Sequence, residues 1–121
     1  MILRVMIVED EDMIRNGLVK TLPWADMGCT VIGSAGDGKS GLEQIIERRP
    51  DVVITDIRMP EMDGLEASRA IRDIDPEIPI IALTANAFDS DKQKAIDAGC
   101  NDYMAKPIVV GQLTAMIKKY I

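Results

Sequence analysis

The chain is 121 residues long, enough for one domain and too short for a second, and 47% of it is hydrophobic, which favours a packed core over disorder. Aromatic residues make up only 3%, so that core rests on Ile, Val, Leu, Met and Ala. Twenty acids against fourteen bases give a net charge of -6, unfavourable for non-specific binding to nucleic acid or anionic membranes, and the lack of histidine excludes Ser-His-Asp and Cys-His nucleophile systems, His-ligated zinc and a phosphohistidine carrier.

The N-terminus carries no basic segment ahead of a long apolar one, and no apolar run approaches a membrane span. Neither a signal peptide nor a transmembrane helix is expected, and the expected location is cytoplasmic. Residues 3–8 form a nearly continuous apolar, β-branched run and read as a buried strand. Ile14, Leu18 and Leu22 recur at spacing four, predicting a helix over 11–22. Pro23 and Gly28 bracket a loop whose Trp24 reads as a packing lid over that helix. A second strand is predicted at 30–35. Asp37 caps a helix through Leu42, Ile45 and Ile46 that must end before Pro50. A third strand follows at 52–55, then a turn cluster at 59–64 and a helix at 65–74 closed by Pro76 and Pro79. Residues 80–83 read as a fourth strand and 88–98 as a helix stopped by Gly99. A short strand at 102–105 and a helix at 109–120 complete the chain. Cys29 and Cys100 lie far apart with no CxxC and read as small buried apolar residues of a reducing compartment.

Five strands alternating with five helices describe an α/β domain: an open, mostly parallel, doubly wound sheet. Such sheets place their sites at the carboxyl ends of the strands. Read there, the first strand ends in Glu9 and Asp10, the third in Asp56, the fourth in Thr84 and the fifth in Lys106. Taken singly, Asp10 and Thr84 also suit helix N-caps and Lys106 also suits a solvated loop. Taken together, three carboxylates converge on one cleft, where like charges repel and call for a hard cation with oxygen ligands, Mg²⁺ above all. Lys106 adds a fixed positive charge and Thr84 a neutral donor. That set suits a transient, highly charged oxyanion, as in phosphoryl transfer. With no histidine, and no Ser or Cys at a strand mouth, the nucleophile is a carboxylate, and an aspartyl phosphate on Asp56 is the expected product.

Four motifs then carry a family resemblance: Val8, Glu9, Asp10 and Glu11 after the first strand; Asp56 to Pro60 with Asp63 and Gly64 after the third; Leu83, Thr84 and Ala85; and the stretch from Gly99 to Pro107. The chain resembles, over essentially all of its length, a response-regulator receiver domain, the phospho-acceptor module of two-component signalling. The resemblance implies one domain over 1–121 with the flavodoxin-like strand order 2-1-3-4-5. It implies that Asp56 is phosphorylated, that Asp10 ligates Mg²⁺ directly and Glu9 mostly through water, and that the main-chain carbonyl of Arg58 is a further ligand. Thr84 is then the switch hydroxyl, Lys106 the partner of the phosphoryl group, Lys106–Pro107 a cis bond, and Tyr103 the switch aromatic. A histidine kinase or histidine phosphotransfer protein is the implied donor. The face made by the fourth helix, fifth strand and fifth helix would meet an output partner or a second copy. The implied role is that of a switch, not a turnover enzyme.

Two features depart from the commonest family pattern. The acidic pair is Glu-Asp where Asp-Asp is frequent, and Arg58 and Asn86 occupy positions that tune phosphoryl lifetime, which points to slow or moderate hydrolysis. A flavodoxin-like nucleotide binder shares the architecture, but its phosphate loop would here be Glu9 to Asp12, which repels phosphate, and Gly33, Gly36 and Gly38 lack the dinucleotide spacing. An aspartyl-phosphate hydrolase would want a carboxylate at position 58. An inert receiver used only for docking would not need every acceptor residue.

Overall fold

The structure is a computed structural model and describes residues 2–57, 59, 62–84, 89–106 and 108–120, with the backbone alone at 89–91. These residues form β1 (Leu3–Val8), α1 (Asp12–Thr21), β2 (Cys29–Ala35), α2 (Gly38–Arg48), β3 (Val52–Asp56), α3 (Gly64–Ile74), β4 (Ile80–Thr84), α4 (Asp89–Asp97), β5 (Asp102–Ala105) and α5 (Val110–Lys119). The five strands make one sheet in the order β2-β1-β3-β4-β5, and every neighbouring pair is parallel. The doubly wound reading is therefore observed, including its strand order. Among the described residues, no helix is long and apolar enough to cross a membrane.

Side-chain alternation along the strands splits the core in two. Val5, Ile7, Val52, Ile54, Ile81 and Leu83 face one side and pack with Leu18, Leu113 and Ile117, so α1 and α5 cover that face. Met6, Val8, Val53, Ile80 and Ala82 face the other and pack with Ile45, Ile71 and Ala95, from α2, α3 and α4. A sheet buried on both faces explains why the strands read as continuous apolar runs. Trp24 joins the first cluster, and its indole N–H donates to the Leu18 carbonyl at 2.8 Å, so it does lie over the first helix.

Local chemistry sets the element ends. The Asp37 carboxylate accepts from the Ser40 amide at 2.7 Å, and the Asp63 carboxylate from the Glu66 amide at 2.8 Å, so both acids cap the helices they precede. Gly99 follows α4 at φ 103, a left-handed conformation that a side chain would strain. Beneath it, the Arg72 guanidinium of α3 gathers the lower rim of the sheet. It donates to the carbonyls of Gly99 (2.8 Å) and Ile78 (2.7 Å) and to the Asn101 side-chain oxygen, which itself accepts the Ile80 amide at 2.9 Å.

The ends of β3 and β4 differ from the sequence reading by one residue. Asp56 and Thr84 are the last residues of their strands, because pairing continues past them: the Ile57 amide donates to Leu83 and the Lys106 amide to Thr84. The backbone of both residues is thereby held in the sheet.

Candidate functional site

Parallel register brings the polar strand ends into one row. Val8 pairs with Thr55, Asp56 with Leu83, and Thr84 with Ala105. Glu9 continues from β1, its amide donating to the Ala35 carbonyl at 2.9 Å, and Lys106 continues from β5. Residues almost a hundred positions apart in sequence thus share one edge of the sheet.

Glu9, Asp10 and Asp56 each offer a carboxylate oxygen, all within 4.8 Å of one another. Glu9 is 0% exposed and Asp56 6%, while Asp10 is half-buried. The Lys106 ammonium lies 2.9 Å from Glu9 Oε2 and 3.3 Å from Asp56 Oδ2. Glu9 Oε1 faces the Glu11 amide at 3.4 Å, and Oε2 is met by the Lys106 ammonium. Burial pushes the Glu9 carboxyl above its ordinary range, and Asp56 adds to this, although Lys106 opposes both. Burial would pull Lys106 down, but Glu9 and Asp56 together outweigh it and hold the ammonium above its usual value.

These residues fit a divalent cation. With its acids ionised, the set of three carboxylates and one ammonium is doubly negative, and each acid offers an oxygen within 4.8 Å of the others in a mostly buried setting. Oxygen donors of this kind suit Mg²⁺. The helix-cap alternative for Asp10 is not realised: Glu11 is the N-cap of α1, and no side chain caps it. Thr84 is 1% exposed at the end of β4.

Tyr103 is half-buried on β5, packed against the second core cluster, and the Lys92 ammonium of α4 stands 5.2 Å from its ring centroid. The sequence reading missed Lys92, since pairing between a helix and an edge strand leaves no local pattern. It also missed Arg15, which donates to the Glu9 carbonyl at 2.8 Å; its one trace in sequence is the i,i+3 spacing from Asp12. Arg58, Asn86 and Pro107, which the resemblance made a metal ligand, a lifetime position and a cis residue, lie outside the described residues.

Comparison with known proteins agrees with this geometry. The profile of the response regulator receiver domain matches residues 5–118. The response regulator MprA of Mycobacterium ulcerans (strain Agy99) is 36% identical over 118 residues, 98% of this chain and 50% of MprA. The chain spans about half the length of the curated relatives it matches. Among solved structures, the REC domain of AraT, a response regulator from Geobacillus stearothermophilus, superposes with a TM-score of 0.87 at 32% identity, covering 99% of this chain and 93% of that one. The Vibrio cholerae chemotaxis protein CheY4 superposes at 0.88 with 28% identity, over 100% of both chains. An acidic strand-end cluster on this sheet order, matched over nearly the whole length, places the chain in the response-regulator receiver domain family.

Proposed function

We propose that residues 1–121 act as one receiver domain that takes a phosphoryl group on Asp56 and changes its binding face in response. The observation that carries this reading is the placement of Asp56 at the end of a fully buried strand, beside the Glu9–Asp10 pair and 3.3 Å from the Lys106 ammonium that also meets Glu9. Glu9, Asp10 and Asp56, with the Arg58 carbonyl, are the residues that would hold Mg²⁺. When bound, the ion supplies positive charge to carboxylate and phosphoryl oxygens.

The protein's own groups then do the following. Asp56 is the nucleophile: a carboxylate oxygen forms the new bond to phosphorus as the bond to the donor's imidazole nitrogen breaks, and the imidazole keeps the electron pair. Lys106, held charged by its two acids, sits where negative charge remains after transfer. Thr84 ends the adjacent strand, so its hydroxyl needs only a local movement to meet a phosphoryl oxygen. Tyr103, one strand further, lies in register with Ala82 and reports that movement to the face made by α4, β5 and α5.

The chain has no histidine of its own, so a histidine kinase or a histidine phosphotransfer protein is the donor in this reading. Its approach is open on the α1 side, where a groove of about 500 Å³ lined by Ile14, Leu18, Leu22 and Ile108 reaches Lys106. An output partner or a second copy would bind the α4–β5–α5 face. The chain is read as a switch rather than a turnover enzyme, with its place in the cytoplasm.

Intact mass after incubation with a small acyl phosphate tests this. A gain of one phosphoryl mass is expected in the presence of Mg²⁺, absent after chelation and absent in Asp56→Asn. No gain in the wild type, or a gain that survives Asp56→Asn, overturns the assignment.

A further inference from the structure

Gly36 in the turn between β2 and α2, and Gly38 at the start of α2, fit no nucleotide-binding pattern, yet they touch α1, which follows β1, and the segment that leads into α3. A Cβ built on Gly36 would stand 2.8 Å from Arg15 Nη1. On the far side, the Gly38 amide donates to the Met62 carbonyl at 3.0 Å, and a Cβ there would stand 2.1 Å from that oxygen. Arg15 is the more informative contact. The same Nη1 donates to the Glu9 main-chain carbonyl at 2.8 Å, while Nη2 pairs with Asp12.

The Glu9 carbonyl belongs to the peptide unit that joins Glu9 to Asp10. That unit is planar, so fixing its oxygen fixes the plane from which both acidic side chains depart. The Glu9 amide is already tied to Ala35. Arg15 thus supplies the second restraint on the acidic pair, and its guanidinium occupies the space a side chain at position 36 would need. We propose that Arg15 is a positioning residue for the Glu9–Asp10 pair, and that position 36 is glycine to leave room for it.

The inference rests on the metal reading above. A competing role is structural: the Asp12 carboxylate is 80% exposed, and a surface pair of this kind contributes little. The two roles separate in Mg²⁺ titrations of the full chain followed by amide NMR shifts, with a urea midpoint measured for each variant. Arg15→Ala and Gly36→Ala are each expected to weaken Mg²⁺ binding by about tenfold, the scale for partners that orient a metal-binding group. The added methyl meets the movable end of a side chain rather than backbone, so Gly36→Ala is expected to keep its urea midpoint. In the Arg15→Ala background, Gly36→Ala is expected to do nothing more. Asp12→Asn is expected to stay within about twofold. Should Arg15→Ala fail to fold, Arg15→Lys, which keeps the stem and one donor, is expected to fall between wild type and the Gly36→Ala loss.

Wild-type affinity in Arg15→Ala, or in both Arg15→Lys and Gly36→Ala, overturns the inference. So does a full further loss in the double variant, or an Asp12→Asn that reproduces Arg15→Ala. A wild type that binds no Mg²⁺ overturns the metal reading, and this inference with it.

Discussion

Cys29 and Cys100 show how burial alone changes a titratable group. They are 3% and 5% exposed, and burial pushes both thiols above the ordinary 9.0; at Cys100, the Ser68 hydroxyl and Arg72 oppose it without cancelling it. A raised folded-state value contributes stability below the unfolded value and loses it as pH climbs through the folded one. The native protein should therefore lose urea resistance as pH rises above about 9, and the Cys29→Ala/Cys100→Ala variant should lose less of it there. The comparison isolates the thiols, since Tyr120 and Lys106 are also held above their usual values and remain in both proteins. At pH 8, a disulfide reagent should label neither thiol until denaturant is added. At this scale, the strand-end rule pointed to Glu9, Asp10, Asp56, Thr84 and Lys106, and the structure brings Glu9, Asp10, Asp56 and Lys106 together. The rule could not select the Glu9–Lys106 contact, which depends on how far two flexible side chains reach across a strand, nor the main-chain contact of Arg15.

Among elements, α3 begins directly against the acceptor strand. A Cβ at Gly64 would lie 2.1 Å from the Asp56 carbonyl oxygen, so the helix starts directly against the backbone of the acceptor. Gly64→Ala must move main chain, and a loss of about 3 kcal/mol in urea unfolding is expected. Asp63→Ala removes only the cap and should lose about 1 kcal/mol. The Asp37 cap, the apolar strands and the Gly99 stop were legible because each obeys a local rule. The extra residue at the ends of β3 and β4 was not, because those ends are decided by hydrogen bonds from neighbouring strands.

Across the described residues of the whole molecule, burial is uneven. β3 and β4 are buried at every residue, whereas the buried side chains described on α4 and at its end are two alanines, Ala95 and Ala98, and Ile96 is 41% exposed. Two alanines hold a helix weakly against a sheet. Native-state hydrogen exchange should therefore be fastest, among the helices, on α4, and slowest on β3 and β4. Equal protection of α4 and α5 would contradict this. Among the described residues, the face proposed to answer phosphorylation thus carries a lightly buried helix beside Tyr103. Strand order and layering were readable from the alternation of elements; this gradient was not, because a helix pattern shows which side is apolar and not how much of it is covered.

The Arg72 clamp gives that gradient a mechanical consequence. One guanidinium holds the start of β4, the turn before it and the junction of α4 with β5 at the end of the sheet opposite the acids. A lever needs a fulcrum, and this rim supplies one. If phosphorylation moves Thr84, this rim is expected to keep the start of β4 and the α4–β5 junction in place while the carboxyl end of the strand moves.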